Sequence, residues 1–536
     1  MPKLTSAIDS SSAAFAQNKA NMQSLIDDFR GFEAKVRENS ESKRAKFEKR
    51  GQLLPRDRVS LLLDRGAPFM EISTLAGLQM HDDDGKKNAA GGGFIAGIGY
   101  VAGKRCIVVA TDSAIKGGAI SPMGLKKTMR LQEIAKKQKL PIVALAESAG
   151  ANLLYQSELF VEGGKAFANQ ARLSAQGIPQ ITVVHGSSTA GGAYMPGLSD
   201  YTVVVRGKSK IFLAGPPLLK AATGEIATDE ELGGAELHYN IAGTAEYMAE
   251  DDAHGVEIAR EIIGHLPWAA PLEAAGGSQP FYEIDDLMGI VPDDAKKPYD
   301  VREIIARITD ASDFLDFKRE YGSSTVCGHA RIEGQAVGIL GNNGPIDPQG
   351  AVKAAQFIQL CCQSNTPLLF LMNTTGYLVG KDAETSGIVK HGSKMIQAVA
   401  NATVPKVTIV VGGAWGAGNY GMCGRGFDPD FIFSWPTAKV GVMGPEQAAT
   451  VMKIITEEKF AKMGQEMPEG MADQMANKII EQMSPQTTCL YATARLWDDG
   501  IIDPRDTRRV VSLALSVCMD GQTRQLYPTS FGVARG

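Results

Sequence analysis

The chain has 536 residues and a formal charge of −5, length enough for roughly two to four domains and no electrostatic case for nucleic acid or an anionic membrane. Seven cysteines are scattered without a CxxC pair, which excludes a zinc ribbon or a dithiol redox motif and fits thiols kept reduced. The opening "MPKLTSAIDSSSAAFAQNK" lacks the apolar core of a signal peptide, and no apolar run approaches the ~20 residues of a membrane span, so a soluble, cytoplasmic protein is expected.

Residues 1–55 are charged and helix-like and read as an outer arm. From there, short β-branched runs ("RCIVVAT", "PIVALAE", "QITVVHG") alternate with amphipathic stretches such as "SPMGLKKTMRLQEIAKKQK". Strand, crossover helix, strand implies parallel pairing and an α/β layered core. The stretch from Pro267 to Asp300 is rich in Pro, Gly and Asp and marks a boundary, giving domains 56–280 and 281–536 after the arm. Methionine-rich "EEKFAKMGQEMPEGMADQMANKIIEQM" (Glu457 to Met483) has no counterpart in the first half; ordinary helix packing is expected of it, a partner surface being the alternative.

The two halves echo one another. "IPQITVVHGSSTAGGAY" (Ile178 to Tyr194) lies over "VPKVTIVVGGAWGAGNY" (Val404 to Tyr420) at a shift of 226, which also pairs Gly118 with Gly344, Lys127 with Lys353, and Pro141 with Pro367. Upstream the shift is 231 and downstream 229, an ordered series that indicates an internal duplication. Each echo places small residues between a strand and a helix: Gly191-Gly192 and Ala417-Gly418. Backbone N–H groups at such a point are free donors, and small side chains let a carbonyl oxygen reach them, which is the material of an oxyanion hole. Tight helix–sheet packing accounts for one such copy somewhat better; two copies at matching positions shift the balance toward two holes for two carbonyls.

Other signals are weaker. "AESAG" lacks the first glycine of a nucleophile elbow, and its echo puts Thr374 where Ser148 stands, so a shared turn explains it better than a serine nucleophile. "GIGYVAG" misses the dinucleotide fingerprint, and "RGKS" lacks the first glycine of a P-loop. "HDDD" (His81 to Asp84) reads as a solvated loop rather than a metal site, and no histidine has metal-ligand spacing.

The stretches "KRGQLLPRDRVSLLLDRGAPFMEI", "KGGAISP", "STAGGAYMPGLSD", "FLAGPPLLKAATGE", "GMCGRGFDPDFIFSWPTAKVGVMGPEQAA" and "ARLWDDGIIDPRDTR" closely resemble the carboxyltransferase (β) subunits of biotin-dependent acyl-CoA carboxylases. "FLAGPPLLKAATGE" and the last of them resemble the 3-methylcrotonyl-CoA and geranyl-CoA branch more than the propionyl-CoA branch. The resemblance implies two tandem crotonase-like β-β-α superhelix domains, the first binding acyl-CoA and the second carboxybiotin. It further implies a ring-like hexamer whose active sites lie between the first domain of one subunit and the second domain of another, within an α6β6 complex. Gly191 and Gly192 would then serve the thioester enolate, and Ala417 and Gly418 the biotin carbonyl. Lys116, Gly117, Gly118, Ala149, Gly150, Ala168, Ala193 and Tyr194 would line the acyl-CoA, and Gly344, Pro345, Ile346 and Gly376 the biotin.

The same resemblance explains why no His or carboxylate dyad is apparent, since the biotin nitrogen is the expected base. No metal is implied. Neither a biotin-attachment lysine motif ("SKMI" is the nearest) nor an ATP-grasp loop is present, so a biotin carboxylase and carrier (α) subunit is the expected partner. Relatives of the methylcrotonyl type often carry two bulky aromatics where this chain has Phe167-Ala168, and "DSGGAN" where it has "ESAGAN". These departures suggest a roomier acyl pocket, favouring geranyl-CoA slightly over 3-methylcrotonyl-CoA. The alternatives are a propionyl- or acetyl-type β subunit, and a biotin-dependent decarboxylase or transcarboxylase of the same fold.

Overall fold

The computed structural model describes residues 3–84, 89–268, 271, 276–292, 297–464, 468 and 470–534. Two compact units emerge. The amino-terminal unit comprises Gly31–Leu272, Ala494–Leu496 and Val517–Gly536; the carboxy-terminal unit comprises Met1–Arg30, Glu273–Thr493 and Trp497–Ser516. The arm expected over residues 1–55 is therefore divided, its first 30 residues lying with the carboxy-terminal unit. Glu303 explains part of this placement, because its carboxylate accepts from Ser6 Oγ (2.5 Å) and the Ala7 N–H (2.7 Å).

Eight strands form the sheet of the amino-terminal unit: β1 (Met70–Glu71), β2 (Phe94–Val101), β3 (Lys104–Thr111), β4 (Ile142–Ser148), β5 (Gln180–Thr189), β6 (Tyr201–Val205), β7 (Lys210–Phe212) and β8 (Tyr247–Ala249). Their order is β1-β2-β3-β4-β5-β6-β8, with β7 beside β5. The carboxy-terminal unit holds β9 (Leu315–Asp316), β10 (Thr325–Ile332), β11 (Gln335–Asn342), β12 (Leu368–Thr374), β13 (Lys406–Trp415), β14 (Phe431–Ser434) and β15 (Lys439–Gly441). There the order is β14-β13-β12-β11-β10-β9, with β15 beside β13.

Both sheets are mixed for the same reason. A tight two-residue connection makes β2–β3 and β10–β11 antiparallel hairpins. Helices Pro122–Gln138 and Gln156–Ala175 then carry the chain from β3 to β4 to β5, and Pro348–Gln363 and Ile388–Ala400 from β11 to β12 to β13, so these strands run parallel. Matching caps start the first crossover helix of each unit. Ser121 Oγ accepts from the Gly124 N–H (3.1 Å), Asp347 Oδ1 accepts from the Gly350 N–H (2.7 Å), and a proline follows each cap. The β-branched centres of β3, β4 and β5 (Val108, Val143, Ile181, Val183) are buried with Val256, Ala259 and Ile263 from the helix Asp252–His265.

The methionine-rich segment packs as a helix, and an exposed apolar run lies just before it. Helices Pro445–Lys462 and Met471–Met483 pack on each other, while Val451, Met452, Ile454 and Ile455, ahead of the segment on the first of these helices, remain exposed. Among the described residues, no helix is long and apolar enough to cross a membrane.

Two buried lysines occupy equivalent places in the crossover helices. Lys127 Nζ donates to the carbonyls of Ser73 (3.1 Å), Gly91 (3.1 Å) and Phe94 (2.7 Å), tying its helix to the loops beneath it; Lys353 Nζ donates to the Lys318 carbonyl (3.2 Å). Burial pushes the Lys127 amine down from 10.5 to about 8. Between those values the unfolded chain holds a proton that the folded chain does not, so this group's contribution to stability rises with pH across that window. Lys127→Met orphans three carbonyls, each costing about 1–3 kcal/mol, and lowers stability at every pH. In urea melts, the gap between wild type and Lys127→Met widens from pH 8 toward pH 10.5; a constant gap contradicts the shifted amine.

Candidate active site

Two strand-end turns repeat across the units in backbone detail. After β5 the chain turns through Ala190 (φ 52°) into the short 3-10 helix Ala190–Ala193; after β13 it turns through Gly416 (φ 52°) into the helix Gly416–Gly421. Alanine in the left-handed region carries strain of order 1 kcal/mol, so the surroundings hold Ala190 in place. The first N–H groups of both helices have no intrahelical acceptor by position, and no side chain caps either. Tyr194 and Tyr420 stand half-exposed just beyond, Tyr194 edge-on to Phe167 (5.6 Å) and Tyr420 stacked on Phe427 (5.7 Å).

The glycines in these turns do different work. A Cβ on Gly192 would lie 2.9 Å from Ser148 Oγ, and one on Gly418 would lie 2.8 Å from both Thr374 Cγ2 and the Gly376 Cα. Both are required by packing. Gly191 is not: its φ is ordinary, and the nearest atom to a Cβ there is Phe167 Cζ at 3.7 Å. Ala417, at the equivalent place, carries its methyl exposed.

Ser148 and Thr374 close the ends of β4 and β12 identically. Ser148 Oγ accepts from the Gly150 N–H (3.1 Å), and Thr374 Oγ1 accepts from the Gly376 N–H (3.2 Å). Each glycine has positive φ (84° and 123°), and its carbonyl accepts from the N–H of Ile120 or Ile346 at 2.9 Å. Gly118 (φ 76°) lies so close on the Glu147 carbonyl that a Cβ would come within 2.2 Å of it. Gly344 has its carbonyl 3.3 Å from Thr374 Oγ1, which donates to it, and a Cβ there would meet only Ser324 Cβ, at 4.0 Å.

The sequence-derived set is therefore brought together as two separate groups: Lys116, Gly117, Gly118, Ala149, Gly150, Gly191 and Gly192 in one unit, and Gly344, Pro345, Ile346, Gly376, Ala417 and Gly418 in the other. Two side chains in these sets face inward. Ala193 joins the apolar cluster of Val184, Val204 and Ile211, and Ile346 is fully buried, which leaves each only its backbone for binding. Ala168 is half-buried on the helix Gln156–Ala175, and it is its neighbour Phe167 that reaches Gly191 and Tyr194.

Sequence reasoning missed a buried ionic cluster behind the first turn. Arg58, fully buried, pairs with Glu147 (3.0 Å) and Asp252 (3.0 Å), and His185 Nδ1 lies 3.0 Å from Asp252 Oδ1. Burial, reinforced by Arg58, holds the imidazole below its usual range. Burial alone would raise Asp252, but the His185 hydrogen bond and Arg58 hold it low. The signal was present as charged letters inside apolar strands, Glu147 ending "PIVALAE" and His185 in "QITVVHG". Among the described residues no base is hydrogen-bonded to Ser148 Oγ, which accepts from the Gly150 N–H. His185 Nε2, its Nδ1 bound to Asp252, has no hydrogen-bond partner, so the geometry gives no support to a serine nucleophile.

The packing predicts an order of sensitivity. Gly192→Ala and Gly418→Ala each cost about 1–3 kcal/mol, the second more because backbone opposes the new methyl, whereas Gly191→Ala leaves the melting temperature unchanged. Equal Tm losses for all three contradict the geometry.

Comparison with known proteins follows the same lines. The carboxyl transferase domain family matches residues 46–534. The crystal structure of the P. aeruginosa geranyl-CoA carboxylase beta subunit superposes with a TM-score of 0.93 at 60% identity, covering 100% of both chains. A probable mitochondrial methylcrotonoyl-CoA carboxylase beta chain from Drosophila melanogaster is 44% identical over 99% of this chain and 95% of its own. The biotin-dependent 3-methylcrotonyl-coenzyme A carboxylase beta1 subunit of Mycobacterium tuberculosis is 46% identical over 92% of this chain and 93% of its own. With a family match across nearly its whole length and the same α/β fold in a solved relative, the chain belongs to the carboxyl transferase domain family.

Proposed function

We propose that this chain is the carboxyltransferase (β) subunit of a biotin-dependent acyl-CoA carboxylase acting on a branched α,β-unsaturated acyl-CoA. The observation that carries the reading is the pair of uncapped turns at matching positions, in a chain alike throughout to relatives of that kind. Two tandem crotonase-like domains would supply them, residues 56–280 on the acyl-CoA side and 281–536 on the biotin side. The free N–H groups around Gly191 and Gly192 take the thioester oxygen as it gains enolate character, and those around Ala417 and Gly418 take the biotin ureido oxygen. Backbone donors hold their protons at every working pH, so neither half needs a titrating side chain for this task.

The residues present fit such ligands. No clash within the chain demands glycine at Gly191 or Gly344, where a Cβ would meet its nearest neighbour at 3.7 Å and 4.0 Å, so close approach of a carbonyl or ureido ring is a reason for small residues there. Biotin, carried on a partner subunit, supplies the carboxyl group and a basic nitrogen. Exposed apolar side chains flank both turns, Leu153, Phe160 and Leu213 in one unit and Val379, Val389 and Val442 in the other. Leu153 and Val379 are equivalent at the shift of 226, and Leu213 and Val442 at 229. They support assembly of several copies with α subunits, each turn facing its complement on another copy.

Geranyl-CoA is favoured as substrate. Identity is 60% with the geranyl-CoA carboxylase subunit against 44–46% with the methylcrotonoyl-type chains, and Ala168 stands beside the aromatic that walls the first turn. The test is a panel of acyl-CoAs assayed with the cognate biotin-bearing subunit, ATP and bicarbonate. Carboxylation of a branched enoyl-CoA is expected with the partner and none without it; ATP-dependent carboxylation by this chain alone overturns the reading.

Chain length turns on Ala168. Each methylene in an apolar pocket is worth at least about 1 kcal/mol of discrimination. Ala168→Phe therefore lowers kcat/KM for geranyl-CoA by about 10²-fold while changing 3-methylcrotonyl-CoA far less. Parallel loss of both activities with a lowered Tm assigns Ala168 to helix packing instead.

A further inference from the structure

The "HDDD" loop is not the solvated loop its composition suggests. Asp83 is buried, with Oδ2 accepting from the Gln79 N–H (2.8 Å), and His81 Nε2 lies 3.2 Å from Glu158 Oε2 while its ring packs edge-on to Tyr155. Asp82 is the hub. Its Oδ2 accepts from Asn152 Nδ2 (2.9 Å), its Oδ1 accepts from the Tyr155 hydroxyl (3.2 Å), and Lys116 Nζ stands 3.7 Å from Oδ1. One carboxylate thus ties together two turns that the sequence separates, the one at Lys116–Gly118 and the one at Leu153–Tyr155. Asp82, Lys116 and Asn152 also line a common cavity of about 30 Å³.

Those two turns are already zipped at their inner end, where Ile120 and Ala151 form a parallel bridge and the Ile120 N–H donates to the Gly150 carbonyl (2.9 Å). Gly150 in turn packs on Ala190, the strained residue that opens the first candidate hole, with a Cβ there 3.4 Å from the Ala190 methyl. A short path therefore runs from Asp82 through Asn152 and Gly150 to the Gly191-Gly192 turn.

The second unit serves as an internal control. Its equivalent bridge, Ile346 with Tyr377, is present at the same shift of 226. Yet Leu378 stands where Asn152 is and Lys381 where Tyr155 is, and Lys116 lies in a connection from β3 to Gly118 that is five residues longer than the one from β11 to Gly344, so it has no counterpart. What both units share is the zipped turn, which the fold needs. Among the described residues the polar hub belongs to one unit alone, so a requirement of that unit's ligand explains it better than folding does.

We infer that Asp82 is a positioning residue for acyl-CoA: it sets the Lys116–Gly118 and Leu153–Tyr155 turns in their binding geometry without touching the reacting atoms. The inference rests on the proposed function and adds to it a residue far from the small-residue turn in sequence. Lys116 sits at left-handed φ (52°) with its side chain 43% exposed, so Asp82 orients a cation that stays open to an anionic ligand.

The experiment uses the complex with its cognate biotin-bearing subunit. Asp82→Asn keeps the size and one acceptor but removes the charge; Asp82→Ala removes the hub. Loss of a charge-assisted hydrogen bond raises KM for acyl-CoA about tenfold or more, while kcat and the KM for bicarbonate stay within about twofold. Asn152→Ala moves KM the same way by a smaller factor, and Asp82→Ala/Asn152→Ala is no worse than Asp82→Ala alone, because the Asn152 amide acts through its bond to Asp82. Asp82→Glu recovers part of the loss. A Tm drop with kcat, acyl-CoA KM and bicarbonate KM all falling away together, or additive single effects, overturns the assignment. Equilibrium binding of geranyl-CoA separates the two readings. Wild type that binds while Asp82→Ala binds equally well overturns only the role of Asp82. Wild type that binds no acyl-CoA overturns the functional reading, and this inference with it.

Discussion

The contact between a strand-end hydroxyl residue and a glycine with no room for a Cβ governs both halves of this protein. Ser148 packs on Gly192 and Thr374 on Gly418 at distances that exclude even a methyl group. The same hydroxyls accept the N–H of Gly150 and Gly376, fixing the next turn as well. Each hydroxyl therefore seats two neighbouring loops on adjacent strands of a parallel sheet. The register shifts between Ala146 and Ser148 and between Met372 and Thr374 are part of this arrangement, because they release the strand ends from regular pairing where the turns begin. Ligands of open α/β sheets bind at this edge, outside the carboxyl ends of the strands.

One residue before the hydroxyl, the halves diverge in chemistry while agreeing in shape. A Cβ on Gly186 would strike Glu147 at 2.8 Å, and one on Gly412 would strike Asn373 at 2.3 Å, so both side chains fill the same space against the neighbouring strand. Glu147 joins Arg58, Asp252 and His185 in an ionic cluster, whereas Asn373 accepts from the Gly413 N–H (3.0 Å) and its own N–H donates to Asn342 Oδ1 (3.4 Å). A buried ionic cluster contributes little net stability over an apolar replacement, since desolvation offsets the pairing, but breaking it by removing one member costs about 3–5 kcal/mol. It acts as a lock on the geometry of β4 and β5 rather than as a source of stability. The amide version meets the same packing need without charge.

Much of this was legible because it is local. The shift of 226 read from the letters reappears as the bridges Ile120–Ala151 and Ile346–Tyr377 and as identical φ at Ala190 and Gly416. Alternating β-branched runs and proline-started helices likewise announced the parallel strands, since those signals lie within about ten residues of what they specify. What escaped were relations across long separations. Arg58 meets Asp252 at a separation of 194 residues, and nothing near "PRDRVSLL" distinguishes a buried arginine from a solvated one. The division of the arm has the same origin, Glu303 reaching residues almost 300 positions away. "HDDD" was misread because composition reports average solvation, not the hydrogen-bond donors that a fold delivers to one carboxylate. The sequence singled out Ala168 for the acyl pocket but gave no sign that its neighbour Phe167 is the side chain lying against Gly191 and Tyr194, because helix phase on a half-buried face decides which of two neighbours points where.

That last difference bears on how the two halves can change independently. Tyr194 and Tyr420 are equivalent and equally exposed, but their aromatic partners come from different places. Phe167 belongs to the crossover helix before β5, and Phe427 to the short 3-10 helix Arg425–Phe427 after the second turn. On the proposed reading, the first wall faces an acyl chain that varies between members of the family, and the second faces a biotin that does not. Substitutions along the helix Gln156–Ala175 can reshape the first wall while the hydroxyl–glycine contact that seats the backbone donors stays intact, because that contact is made by β4 and the turn after β5. On that reading the chemistry and its selectivity rest on separate elements of one unit: a backbone seat on strand ends, and an adjustable side-chain wall on a helix.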